Sequence, residues 1–199
     1  MEGSPHATNE MRKLLQSLAD IRVGHTFRGR VEHDPDGDVR VLQIKDIKAG
    51  SSIDVSALPR VQWQGIGAPP VLESGDIVVP ARGEHFVAAL ADGIEPIVPT
   101  SQFWVLRTQA QSISPEYLCW YLNQSAAHNY FRTNRTGTNM PMLNKQALGA
   151  LPVSVPSLQA QQRIIDLERL WRDEQRLTEQ LLRNRETMLA GIFHRLLES

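Results

Sequence analysis

Up to about residue 156 the apolar positions come in short runs broken by glycine and proline; beyond it they recur every three or four residues without a break. All 12 prolines lie at or before Pro156, and 12 of the 13 glycines precede residue 157. That change of texture predicts a mixed domain feeding a long helix. Within the domain, Met11, Leu14, Leu15 and Leu18 stand at helical spacing, which predicts a short amphipathic helix over 10–19. Val39, Val41 and Ile44 predict a strand behind the turn Asp34-Pro35-Asp36-Gly37. Glu73-Ser74-Gly75 reads as a turn with a strand over 76–79 after it. Further strands are expected over 85–91, before the turn Asp92-Gly93, and over 102–107. Ser114 is an N-cap with Pro115 at the first helical position, opening a helix whose apolar face is Tyr117, Leu118, Tyr121 and Leu122. Tyr130 and Phe131 predict a second short helix, Asn144 caps a third, and 151–155 make a last strand closed by Pro156. The expected class is α+β: a compact domain of short strands and short helices over 1–157, then a long helical region over 158–199.

Ser157 caps that last helix. From 158 to 197 it would run roughly 60 Å at 1.5 Å per residue. Leu167, Leu170, Leu177, Leu181, Met188, Ile192 and Leu196 line one side, with Glu174 and Asn184 interrupting the seam. A stripe of that length outruns one small domain. It calls for a second helix, from another copy of the chain or from a partner, and polar seam residues then set register. A solvated helix folded back on its own domain is the alternative.

Composition adds boundaries. With 41% hydrophobic and 22% charged residues in 199, the chain is globular rather than disordered. The lone Cys119 forms no intramolecular disulfide and suits a reducing compartment. No apolar run approaches the roughly 20 residues of a membrane span, and MEGSPHATNEMRK lacks the apolar core of a signal peptide. A soluble, cytoplasmic protein without a membrane partner is expected. The net charge of −1 argues against a strongly basic nucleic-acid binder, yet it is unevenly spread. Residues 1–100 hold 10 basic and 14 acidic side chains, whereas 101–158 hold Arg107, Arg132, Arg135 and Lys145 against Glu116 alone.

Catalytic signatures are missing. None of the six histidines stands at a zinc-ligand spacing. There is no Gly-x-Ser-x-Gly elbow and no phosphate-cradling Gly-x-x-x-x-Gly-Lys loop; Gly65-x-Gly67 runs into Ala68-Pro69-Pro70 and opens no helix. Asp76, Glu84 and Asp92 cluster without a nuclease-like lysine. Cys119 reads as a buried, inert thiol. No catalytic residue, metal site or cofactor is expected, which favours a binding protein.

Several phrases together resemble one family. They are Leu18-x-Asp20-Ile21-x-x-Gly24-x-x-Phe27-Arg28, then Val41-Leu42-Gln43-Ile44-Lys45-Asp46-Ile47, then Gly75-Asp76-Ile77-x-x-x-Ala81-Arg82-Gly83. Phe103-x-Val105-Leu106-Arg107, Tyr117-Leu118-x-Trp120-Tyr121-Leu122-Asn123 and Gly137-Thr138-x-Met140-x-x-Leu143-Asn144-Lys145-x-x-Leu148 follow. Leu151-Pro152-Val153-x-Val155-Pro156-x-Leu158-x-x-Gln161 closes the series. In this order and spacing the chain resembles the specificity subunit of type I restriction-modification systems. The resemblance implies a target-recognition domain that reads one half of a split DNA sequence. It also implies a helical spacer that acts as a ruler and docks modification (methyltransferase) subunits, where the chemistry lies. A restriction subunit is left open as a further partner. The usual subunit carries two such domains and two helical regions; this chain looks like a half-subunit, natural, truncated or one of a pair. Two copies joined through the C-terminal helix would then read a palindromic, bipartite site. A coiled-coil scaffold whose head binds protein, and a small nucleic-acid enzyme, are the competing readings.

Phosphates are held by arginine, lysine, hydroxyls and amides, and bases are read by arginine, asparagine and glutamine. Two stretches meet those needs. One is the loop Pro80-Ala81-Arg82-Gly83. The other, read as a loop, spans 132–140 and carries Arg132, Asn134, Arg135, Thr136, Thr138 and Asn139 with no acid. Lys145 is added as a neighbouring cation. Gln43 and Lys45 stand in a family phrase and serve either DNA contact or the fold; Arg28 and Arg30 rank lower.

Overall fold

The computed structural model describes residues 11–47, 53–83, 86–91, 93–137 and 140–198. They fall into two compact units that divide between Gln161 and Gln162. In chain order the strands are β1 (Met11–Leu14), β2 (Ala19–Val23), β3 (Val39–Leu42), β4 (Arg60–Val61), β5 (Ile77–Pro80), β6 (Ala89–Leu90), β7 (Ile97–Pro99), β8 (Phe103–Thr108) and β9 (Pro152–Val155). The helices are α1 (Pro115–Leu122), α2 (Ser125–Asn134), α3 (Lys145–Gly149) and α4 (Leu158–Leu197). The class is α+β, as expected.

The helix expected over 10–19 is not formed. Met11–Leu14 pairs antiparallel with β9, Met11 opposite Val155 and Leu14 opposite Pro152, and a 3-10 turn over Leu15–Ser17 follows. Leu15 and Leu18 are fully buried while Met11 and Leu14 stay 58% and 44% exposed. The four apolar residues therefore do not share a helical face. Pairing with a distant strand overrides the local period.

Two sheets build the rest of the first unit. One has the order β2-β8-β5-β6 with antiparallel neighbours; the other has the order β4-β3-β7, in which β3 and β7 run parallel. Flanked on both sides, β5 is buried along its whole length. Leu42, Leu58, Leu72, Val78, Ala89, Ile97, Phe103 and Val105 pack into one core cluster, each large side chain worth roughly 1.5–3 kcal/mol. The strand expected from Val39 to Ile44 ends at Leu42, and Ile44–Asp46 form a 3-10 turn. The strand expected over 85–91 is confined to Ala89–Leu90 among the described residues; His85 and Asp92 lie outside them. β7, bracketed by Pro96 and Pro99, is a strand that local punctuation concealed.

Asp76 ties the first sheet together. Its carboxylate accepts Arg107 Nε and Nη2 at 2.8 and 2.7 Å, Arg22 Nη2 at 3.1 Å and the Glu73 amide at 2.9 Å. One acid thus clamps β2 and β8 to the start of β5, a structural role for a residue of the sequence cluster.

The caps read from sequence are formed. The Ser114 hydroxyl accepts the Tyr117 amide and Asn144 Oδ1 accepts the Ala147 amide, at 3.1 and 2.8 Å. Gln161, fully buried, receives the Ser114 amide at 2.9 Å and donates to the Ser112 and Pro156 carbonyls at 2.7 and 2.9 Å.

The second unit is helix alone. Exposed i,i+3 and i,i+4 ion pairs stud it, among them Arg172–Glu168 and Arg176–Asp173. Leu167, Leu170, Leu177, Leu181, Met188 and Leu196 are all at least half exposed, and Ile192 is half-buried. Trp171, Leu182, Leu189, Phe193 and Leu197, outside the expected stripe, are also exposed. No helix among the described residues is long and apolar enough to cross a membrane.

Candidate nucleic-acid interface

Strand direction gathers the candidate residues. β2 and β5 both run antiparallel to β8, so both finish where β8 begins: Val23 and Val79 each stand opposite Trp104. β7 feeds that same point, with the Gly24 amide bonded to Phe103 O and the His25 amide to Pro99 O, at 3.0 and 2.8 Å. β3 runs parallel to β7 and ends beside it, Leu42 opposite Pro99. The segments after β2, β3 and β5 therefore leave the domain at one end.

The turn after β3 holds Gln43 and Lys45. The Gln43 amide donates to Asp46 Oδ2 at 2.9 Å and the Asp46 amide returns to Gln43 O at 3.0 Å, a reciprocal cap. It leaves Lys45 exposed and Gln43 half-buried.

The segment after β5 carries Arg82 and joins the second candidate stretch. Leu143 N donates to Ala81 O and Gly83 N to Pro141 O, both at 2.9 Å, placing Arg82 in an antiparallel bridge with Met142. On its other side Met142 bridges Thr136, through bonds of 2.9 and 2.8 Å. The two stretches singled out separately in the sequence are thus edges of one three-strand ladder with Met142 at its centre. Trp104 Nε1 fastens the ladder to β8 by donating to Leu143 O at 2.7 Å. Gly137 turns the chain with φ +91°, and a Cβ there would stand 2.6 Å from Met140 O. Arg82, half-buried, makes no side-chain hydrogen bond or ion pair with the described residues.

The stretch from 132 is not all loop. Arg132, Thr133 and Asn134 are the last turn of α2, because hydroxyl and amide groups there bond back to carbonyls one turn earlier: Thr133 to Asn129 O at 3.0 Å and Asn134 to Tyr130 O at 2.9 Å. Arg132 is exposed and bonds Asn129 Oδ1 at 2.8 Å, a cation suited to a helix C-terminus. Arg135 follows as the C-cap and Thr136 enters the ladder. Thr138 and Asn139 lie outside the described residues. Tyr130 donates its hydroxyl to Ala147 O at 3.0 Å, joining α2 to α3, where Lys145 is exposed in the first turn. Burial pushes the Tyr130 phenol up from its ordinary value.

No carboxylate occurs between Glu116 and Asp166, so α2, the ladder and α3 form a cationic stretch within an acidic chain. Met140 and Met142, not among the candidate residues read from sequence, are exposed at the ladder. The signal for Met142 lay in the alternation Pro141, Met142, Leu143, whose outer members are buried. Among the described residues no group of His, Cys, Asp and Glu side chains is arranged to hold a metal ion.

The sequence model described as type I restriction modification DNA specificity domain matches residues 9–183. The fold resembles that of the type I restriction-modification S subunit from M. genitalium, with TM-score 0.59 and 13% identity over 86% of this chain and 41% of that one. It resembles equally the HsdS subunit from Thermoanaerobacter tengcongensis, with TM-score 0.58 and 18% identity over 87% and 39%. A chain solved in work on complex assembly and conformational transition of the type I R-M system gives TM-score 0.65 and 17% identity over 98% and 45%. The present chain spans less than half the length of each. No curated protein sequence matches it.

Proposed function

Because the chain belongs to the type I restriction modification DNA specificity family, we propose that it is a non-catalytic DNA-recognition subunit that reads one half-site of a split target. The first unit reads bases and grips phosphates; modification subunits bring the methyl-transfer chemistry, and a restriction subunit joins where the assembly cleaves. Two copies paired through α4 present the same surface twice and read a palindromic, bipartite site in the cytoplasm. The observation that carries this reading is the ladder that sets Met142 between Arg82 and Thr136, with Arg132, Arg135 and Lys145 near Thr136 or Met142 in the chain and no carboxylate from 117 to 165. Arginine, threonine and asparagine on glycine-bounded backbone are the groups that position a duplex and read its bases.

The test is selection from a random duplex pool, with and without a modification subunit, followed by sequencing. A palindromic motif split by an unread spacer is expected. A single ungapped half-motif would remove the homodimer and keep the reading domain. No enrichment in either arm would leave a scaffold whose globular head binds protein.

A further inference from the structure

The aromatic and basic residues of 25–34 have no part in the ladder, yet they wall an open groove. The groove measures about 780 Å³ and lies between His25–Asp34 on one side and Val61–Ile66 on the other. It starts at His25, where β2 ends and the ladder's supporting strands converge. His25, Phe27 and Trp63 form its floor, the Trp63 ring 4.7 Å from His25 and 6.3 Å from Phe27.

The loop after β4 is wrapped on Trp63. The indole Nε1 donates to Gly67 O at 2.9 Å, and the Trp63 amide donates to Asp38 Oδ1 at 2.7 Å. Any Cβ on Gly65 would strike the indole at 2.2 Å, and Gly67 has φ +77°, so both glycines are required for this path. The product is a fixed tip on which Ile66 is completely exposed and Gln62 and Gln64 are exposed beside it. Arg28 and Arg30 are exposed on the facing wall. The carboxylate of Asp34 is engaged by the Asp36 amide at 3.0 Å; Glu32 stands exposed.

We propose that this groove is a second DNA-contact surface, in which the Gln62–Gly67 loop reads A·T base pairs while Arg28 and Arg30 hold the flanking phosphates. The inference rests on the DNA-recognition reading above. Glutamine amides match the adenine edge in the major groove, and an apolar side chain matches the thymine methyl. A rigid apolar tip enters DNA without an ordering cost. Exposed arginines beside an amide-bearing tip supply both the phosphate contacts and the base-edge contacts that duplex DNA offers, which favours DNA over a protein.

The experiment starts from the duplex selected by the full chain. Ile66→Ser, Gln64→Ala and the double variant Arg28→Ala/Arg30→Ala are compared with Arg82→Ala by titration, repeated selection and thermal unfolding. Substituted side chains are exposed, so melting should be unchanged. Ile66→Ser and Gln64→Ala should each lose about tenfold discrimination at one A·T position while other positions hold. The arginine double variant should weaken binding to every sequence and lower the salt slope by about 2. Unchanged motif and affinity in all three, with Arg82→Ala impaired, overturns the groove alone. If the unaltered chain selects nothing either alone or with a modification subunit, the DNA reading itself falls and the groove with it.

Discussion

Asp76 shows how one residue ties three strands of the first sheet together. Burial alone would raise its pKa; the hydrogen bonds from Arg107 and the Glu73 amide, with the charges of Arg107 and Arg22, outweigh burial and hold the carboxyl below its ordinary 3.8. A carboxyl depressed on folding stabilises above the unfolded value and loses that contribution as pH falls below about 4 toward the folded value. Stability measured by denaturant titration should therefore be flat from neutrality to the mid-fives and fall at lower pH, in part through this group. Asp76→Asn should flatten that fall and cost about 2 kcal/mol at neutral pH, since both arginines lose their shared carboxylate while Arg107 keeps Glu73 at 2.8 Å and Arg22 keeps the Val71 carbonyl at 3.4 Å. Because both arginines are over a third exposed, water limits the loss. An Asp76→Asn protein as stable as the parent at neutral pH would remove the clamp from the account.

At the scale of elements, the ladder hangs on its turn. Gly137→Ala places a Cβ 2.6 Å from Met140 O at φ +91°, which costs roughly 1–3 kcal/mol. That strain should be met by opening the ladder, not by unfolding the core. Amide exchange at Thr136 and Met142 should quicken while β8 amides keep their protection, and affinity for selected DNA should drop. Unchanged exchange at Thr136 and Met142, or a rise shared equally with the β8 amides, would mean that the turn does not hold the ladder. The same scale explains what sequence reveals here. Ser114, Asn144 and the long α4 were legible because a cap or a helical stripe depends on residues a few positions apart. β1 and β7 were not, because their partners β9 and β3 are remote in the chain. For the same reason the Arg82 and Thr136 stretches could each be recognised by composition, but not their meeting at Met142. The helical ending of α2 was hidden by Thr133 and Asn134, polar residues that read as loop until their back-bonds are seen.

For the molecule as a whole, α4 is the element with a long exposed apolar stripe. Its first half carries Leu167, Leu170, Leu177 and Leu181 at alternating spacings of three and four apart from the break at Glu174, the pattern of a two-helix seam. Toward its end the apolar residues come in adjacent pairs: Leu181 and Leu182, Met188 and Leu189, Ile192 and Phe193, Leu196 and Leu197. Neighbours in a helix point about 100° apart, so one partner helix covers one member of each pair and leaves the other in water. On the reading proposed above, a second copy would take the seam and helices of the modification subunits would take the residues around its end. Sedimentation equilibrium of the chain alone should give twice 22.4 kDa, and Leu177→Glu with Leu181→Glu should return it to a single copy with strand signals intact. Oxidative footprinting of that dimer should still label Phe193 and Leu189, and lose the label when a modification subunit is added. A single-copy mass for the unaltered chain at its highest soluble concentration would sink the symmetric pair. It would also leave α4 waiting for a different half-subunit.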